Sequence, residues 1–423
     1  MLSRLISFFF SSSSSSPSPS NEESSRVCVA SLAFPSSSEM TCNAYQLCFA
    51  APLSVDVESP PVQFRLCNAS ASHERSFTVS VLPDALRYVV CLLEPQHGVL
   101  RAGGDVLVRF SLKLLCTTRV DVPVDVCVDG QFARCRVIVD AVSSASERLD
   151  PDRVELLDRD RPLGAGGYGT VYRAKYAAQV IAAKVINEQN ALHMSDEQVR
   201  RFEHEVTLLA RVRHECIVHF IGASHFPGRF MICTELLPLG AVGDLIESAA
   251  PPSLALCRRF AIDLARALVY LHQQPIIYRD VKSDNLLACS LDVDAPVNCK
   301  LIDFGIARSV KSASKARRYT TRFGSIPYMA PEVIDDQPYC ARVDVYAAGI
   351  VMAELVMRRH AWHDANLWQL PSRVMNGARP TMPPTTPRAW AQLAQACWAP
   401  APADRPTAAQ LLESLCAMQG LFN

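Results

Sequence analysis

The chain holds 423 residues, 49 % of them apolar, and its 42 basic and 42 acidic side chains leave a formal net charge of zero. That length exceeds one compact core and predicts two or three domains. The charge balance gives no whole-chain electrostatic case for nucleic acid or an acidic membrane surface, and no apolar run approaches the roughly 18 residues of a transmembrane helix.

The 16 cysteines are split evenly about residue 150, with no CxxC pair and no tight cluster with histidine. That spacing argues against zinc and suits reduced, buried thiols in an intracellular, cytoplasmic setting.

At the N-terminus "MLSRLISFFF" runs straight into "SSSSSSPSPS". The apolar stretch is short, no small-residue cleavage site follows, and a transit peptide would carry more arginine. Residues 1–25 are therefore expected to be a disordered Ser/Pro-rich tail. From 27 to 142 the pattern is alternation and turns. "SFTVSVL" (76–82), "DVLVRFSLKLL" (105–115), "VDVPVDVCV" (120–128) and "CRVIVDAV" (135–142) read as strands, and "LPD", "PQHG", "AGGD" and "DG" as the turns between them. About seven short strands in an all-β sandwich are expected.

"FRLCNAS" (64–70) and "LEPQHGVLRAGGDVLVRFSLKL" (93–114) are similar to the immunoglobulin-like domain of the major sperm protein group, where an N-x-S turn and a P-x-x-G stretch join strands. The resemblance covers roughly half of the segment and implies an Ig-like sandwich, which would bind a protein partner, dock on the rest of the chain or only stabilise it. The sequon "NAS" at 68–70 is read as a loop. The polar stretch "SSASERLDPDRVEL" (143–156) ends the β pattern, and residues 143–154 are taken as a linker.

A second domain is expected over 155–420, strand-rich to about residue 233 and helical beyond. The 196–214 segment places Val199, Phe202, Val206 and Leu209 on one helical stripe, and 254–273 does the same for Leu256, Phe260, Leu264 and Leu268. "LGAGGYGTVYRAKY" (163–176) begins at Leu163 and carries Gly164, Gly166 and Gly169. Such spacing fits a dinucleotide-binding turn, a plain turn, or a loop whose amides close over phosphates. An alternating strand follows it rather than a helix, and the Lys-Ser/Thr ending of a Walker loop is missing. "IAAKVI" (181–186) puts Lys184 inside an apolar strand, costly without an anion nearby, and Glu205 on the next helix is a candidate partner.

"IIYRDVKSDNLL" (276–287) crowds charge between apolar ends, and "DFG" (303–305) and "APE" (330–332) follow. In that order these motifs resemble the protein kinase family, with its H-R-D-x-x-x-x-N catalytic loop and D-F-G metal loop. The resemblance covers about 155–420 and implies an α+β, bilobal kinase fold with ATP and Mg²⁺ as cofactors and protein hydroxyls as substrate. By resemblance, Asp280 orients the acceptor hydroxyl and takes its proton, and Lys282 neutralises the moving phosphoryl group. Asn285 and Asp303 hold Mg²⁺, and Lys184, braced by Glu205, holds the α and β phosphates. Thr234 falls at the gatekeeper position, Glu235 to Leu237 offer backbone bonds to adenine, and Val171, Ala182 and Leu287 sandwich the ring. Tyr278 stands where most kinases have histidine, in a packing and hydrogen-bonding role.

Lys282, "GSIPYMAPE" (324–332) and "ACWAPAPADRPT" (396–407) resemble the tyrosine-kinase-like group, which mostly phosphorylates Ser/Thr. Glu332 and Arg405 match that family's buried ion pair. The long turn "CSLDVDAPVNCKL" (289–301) is similar to hairpins of Roco-type and amoebal enzymes in the group. A phosphate on Ser312, Ser314, Thr320 or Thr321, among Lys311, Lys315, Arg317, Arg318 and Arg322, would pair with Arg279 and order the segment. Two other classes stay in view. A scaffold without activity would usually have lost Lys184, Asp280, Asn285 or Asp303, and a small-molecule kinase rarely keeps "APE" with the "CW…RP" tail.

Overall fold

A computed structural model describes residues 27–28, 32–34, 37–42, 46–49, 51–81, 88–143, 146–166, 169–186, 195–226, 228–309 and 324–418. The chain divides into two compact units between Ser146 and Glu147. The tail 1–25 and the basic segment 311–322, with its four candidate hydroxyls, lie outside the described residues.

The first unit holds eleven strands among its described residues: β1 (Val27–Cys28), β2 (Leu32–Phe34), β3 (Ser37–Cys42), β4 (Gln46–Cys48), β5 (Val62–Asn68), β6 (Arg75–Val81), β7 (Val89–Glu94), β8 (His97–Leu100), β9 (Asp105–Leu114), β10 (Arg119–Val128) and β11 (Gln131–Val142). They form a six-stranded sheet, β1-β4-β11-β10-β6-β8, and a five-stranded one, β2-β3-β5-β9-β7. Phe64, Phe110 and Leu112 from one sheet and Val79, Val124 and Val139 from the other share one buried cluster. Four strands more than expected are present, because β1 to β4 are too short for alternation to show.

Asn68 of the sequon ends β5 and is 1 % exposed; its amide donates to the carbonyls of His73 (2.9 Å), Leu100 (3.2 Å) and Arg101 (3.1 Å). It pins a turn, the usual fate of a buried amide.

The stretch read as linker is in part structured. Leu149 N donates to Ala223 O and Ala223 N to Glu147 O, Leu149 is buried, and Asp150 caps a short 3₁₀ turn over Pro151–Arg153. The second unit then has β12 (Val154–Leu156), β13 (Gly164–Gly166), β14 (Gly169–Tyr176), β15 (Gln179–Val185), β16 (Phe220–Phe226) and β17 (Arg229–Glu235) in one sheet, ordered β12-β14-β15-β17-β16 with β13 on β14.

Helix α1 (Asp196–Arg211) lies between β15 and β16. Ser195 and Gln198 start it with a reciprocal capping box, and Phe202, Val206 and Leu209 are its buried stripe. The rest is helical: α2 (Val242–Glu247), α3 (Leu254–Gln273), α4 (Pro331–Ile334), α5 (Arg342–Met357), α6 (Leu370–Met375), α7 (Arg388–Cys397) and α8 (Ala408–Ala417). Apolar on every side, α5 is buried along nearly its whole length and forms the axis of this part. Short ribbons β18 (Ile276–Ile277) with β21 (Arg308–Ser309), and β19 (Leu286–Ala288) with β20 (Cys299–Leu301), frame the segments that carry the charged motifs.

Candidate active site

A cavity of about 570 Å³ opens between the sheet and the helical part of the second unit. Val171 and Lys184 are register partners on β14 and β15, so both side chains leave the sheet on one face, and both line the cavity. Gly169 faces it from the glycine segment; a Cβ there would sit 2.5 Å from Val185 O, so only glycine permits this approach.

Lys184 Nζ donates to Glu205 Oε1 (2.9 Å) and Asp303 Oδ1 (3.4 Å). Burial alone would lower the Lys184 pKa, but the two carboxylates reverse this and hold it well above its ordinary value. Burial likewise opposes ionisation of Asp303, and Lys184 and the Gly305 N–H overcome it, so its carboxyl lies below the usual range. Burial raises Glu205 against the pull of Lys184. Asp303 adopts a left-handed backbone (φ 55°) while accepting from Gly305 N (3.1 Å), and the Arg279 backbone is left-handed too, at φ 72°. Left-handed non-glycine residues of this kind concentrate at functional sites.

The catalytic-loop residues converge on Asp280. Asn285 Nδ2 donates to Asp280 O (2.9 Å) and Oδ2 (2.8 Å), Lys282 Nζ lies 3.3 Å from Oδ2, and Ser325 Oγ donates to Oδ1 at 3.1 Å. Lys282 Nζ also donates to Ser325 Oγ (3.2 Å), closing a triangle. Ser325 was not singled out from sequence; its only signal is its place in "GSIPYMAPE". Asp344, on the axial helix α5, was likewise missed. Its carboxylate accepts from Tyr278 N (2.9 Å) and Arg279 N (2.7 Å), and His272 Nε2 lies 2.8 Å away.

Tyr278 is fully buried and meets Phe304 edge to face, with ring centroids 5.3 Å apart. Its hydroxyl donates to Ile302 O. Burial, then Asp280 and Asp303, hold the phenol far above its ordinary pKa, so it stays neutral. Tyr278→Phe keeps the ring and removes the bond to a buried carbonyl. A loss of about 1–3 kcal/mol is expected, read as a lower unfolding midpoint; an unchanged midpoint would show that the hydroxyl contributes nothing.

Gly164, Gly169, Val171, Lys184, Glu205, Asp280, Lys282, Asn285 and Asp303 all line the cavity. Leu163, Gly166, Ala182, Thr234, Glu235, Leu237 and Leu287 do not. Ala182 and Thr234 are register partners in the sheet, Leu287 bridges to Ala241, and Leu163 is half exposed. The Glu235 side chain is turned to Lys300 (2.8 Å) and the His219 N–H, and its own N–H is spent on His219 O. Glu332 and Arg405 form a two-pronged pair at 2.6 and 2.7 Å, with Arg405 almost wholly enclosed. The long 289–301 turn is tied down: Asn298 N donates to buried Asp263, and Arg259 Nη2 to Ala295 O.

A lysine braced by a carboxylate, set opposite two further acids and an amide across a cleft between a sheet and a helical body, defines a two-lobed phosphotransferase. The sequence comparison agrees: residues 157–415 match the protein kinase domain, more than half of the chain, and the chain belongs to the protein kinase family. It is similar to the probable serine/threonine-protein kinase gdt9 of Dictyostelium discoideum, 28 % identical over 73 % of this chain and 21 % of that protein. It is also similar to the serine/threonine-protein kinases STY46 (33 % identical, 60 % of this chain, 42 % of that protein) and CTR1 (33 %, 63 % and 32 %) of Arabidopsis thaliana. The chain thus spans less than half the length of each of these curated relatives.

Proposed function

We propose that this chain is a serine/threonine protein kinase of the tyrosine-kinase-like group that transfers the γ-phosphoryl group of ATP to protein hydroxyls. The observation that carries this reading is the convergence of Asn285, Lys282 and Ser325 on Asp280 in the same cavity as the Lys184–Glu205–Asp303 cluster. Asp280 accepts the proton of the acceptor hydroxyl as its oxygen bonds to the γ-phosphorus and the bond to the departing ADP oxygen breaks. Lys282 neutralises charge on the transferring group, and Ser325 holds both side chains in register. Lys184 binds the α and β phosphates under the Gly164–Gly169 turn.

The residues present fit Mg²⁺. Asp303 brings a carboxylate and Asn285 an amide oxygen, whose orientation its NH₂ bonds to Asp280 set. No group of three or more His, Cys, Asp or Glu side chains among the described residues is arranged to hold a metal, in keeping with a cation that takes one or two protein oxygens and the rest from phosphate and water. Bound there, Mg²⁺ would neutralise phosphate charge. In this reading adenine lies at the C-terminal end of β17, against the Glu235 carbonyl and the Leu237 backbone, between Val171, Ala182 and Leu287, with Thr234 as gatekeeper and Leu163 and Gly166 closing the glycine turn.

Residues 155–420 form the kinase domain and 27–142 a separate Ig-like module whose two sheets share one core, suited to a protein partner. A reducing compartment fits the buried free thiols Cys216, Cys233, Cys257 and Cys397, and no helix among the described residues is long and apolar enough to cross a membrane. Incubating the purified chain with γ-labelled ATP, Mg²⁺ and a generic protein tests the reading. Label on serine and threonine is expected. Label confined to small metabolites, or none, would overturn it.

A further inference from the structure

Glu354, on α5, is fully buried and accepts from Ser283 Oγ (2.7 Å), Tyr328 OH (2.8 Å) and Ala361 N (3.0 Å). His360 lies just beyond the same helix. Its Nδ1 is 3.5 Å from Glu354 Oε1, its Nε2 is 3.8 Å from Asp284 Oδ1, and its backbone N–H donates to Glu247 Oε1 at 2.9 Å. His360 therefore meets α5 and the catalytic loop through its ring and α2 through its backbone N–H. The contact leaves no room for more: a Cβ on Gly243 of α2 would lie 2.7 Å from Asp284 Oδ1 and 3.2 Å from His360 Cε1.

From this geometry we infer that His360 is a positioning residue for phosphoryl transfer: its imidazolium bridges Glu354 and Asp284 and so fixes the 282–285 stretch that carries Lys282 and Asn285. The inference rests on the phosphotransfer reading above. The charged groups facing the imidazole are Glu354 from α5, Asp284 from the loop and Glu247 from α2. Asp244, also on α2, and Lys282 act on Asp284 in turn. Three carboxylates around one cation favour the charged ring. The Glu354 contact, against the opposing effect of burial and helped by Asp284 and Glu247, raises the His360 pKa to about 9. The raised value sets the sign: the bridge is complete below the ordinary histidine range and is lost as pH climbs through about 9. Once the ring is neutral, Glu354 and Asp284 confront each other without a cation between them, and the loop beside Asn285 loses its outer anchor. Misplacement on the ångström scale at such a site costs rate rather than affinity.

The test uses the full chain, with kcat and KM for ATP measured from about pH 6.5 to about 9.5. For the wild type kcat should fall through the upper part of that window while KM changes little. His360→Asn should be slower by about tenfold at neutral pH, a coupling discounted for the partly exposed ring, and flat across the window. His360→Lys should restore the neutral rate and hold it past pH 9. Lys184, held above its ordinary value, does not titrate in this range. Imidazole NMR provides a readout independent of activity: the His360 resonance should titrate well above an ordinary histidine, and lower in Asp284→Asn. Wild-type kcat in His360→Asn, an unchanged fall in that variant, or an ordinary titration would each overturn the inference. A wild type that transfers no phosphate at any pH would instead overturn the function, leaving the NMR titration to decide whether the bridge exists.

Discussion

Asp280→Asn is expected to slow phosphoryl transfer by about 10²–10⁴, the range for losing a general base, while leaving ATP binding and the fold in place. The side chain sits at the meeting point of Asn285, Lys282 and Ser325. An amide of the same shape keeps part of that contact set but cannot take the proton of an incoming hydroxyl. Single-turnover transfer from labelled ATP to a protein acceptor, alongside nucleotide affinity by calorimetry, separates the two effects. A variant within tenfold of wild type would show that Asp280 is not the base.

The second large effect is on stability. Arg405→Met should destabilise the second unit by about 3–5 kcal/mol, because it strands the Glu332 carboxylate, whose side chain is only 9 % exposed, without its cation. Arg405 also donates to Ala399 O (2.8 Å) and Pro400 O (3.1 Å) and lies over the Tyr346 ring at 5.0 Å, so several groups lose their partner together. A domain stable by about 5–15 kcal/mol would be brought near its threshold. Thermal unfolding should show the loss, and Glu332→Gln, which keeps hydrogen-bonding capacity, should cost less. Equal midpoints for Arg405→Met and wild type would refute the account.

Much of the site was legible before any coordinates because its chemistry demands particular groups at fixed spacings. Lys184, Asp280, Asn285 and Asp303 are such groups, and the structure brings them to one cavity. The helical stripes on α1 and α3 were legible for a different reason: a periodicity over many residues averages out local noise. The strands between 27 and 48 have only two to six residues each, too few to show a period. Ser325, Asp344, Glu354 and His360 escaped notice because their meaning lies in contacts rather than in composition. Arg279 and Asp344 are 65 positions apart, and Ser283 and Glu354 are 71. A buried acid within an apolar helix is a signal, but it does not reveal what it holds. The adenine-side residues carry the least individual information, since Ala182 and Leu287 are ordinary core types.

Asp344 and Glu354 lie ten positions apart on α5, roughly 15 Å along the helix axis. The first takes the amides at 278 and 279, and the second takes the hydroxyl at 283. The segment between them is therefore suspended at both ends from one stiff rod. It is irregular in path yet takes its position from the helix, so a shift of the rod would carry the reacting groups with it.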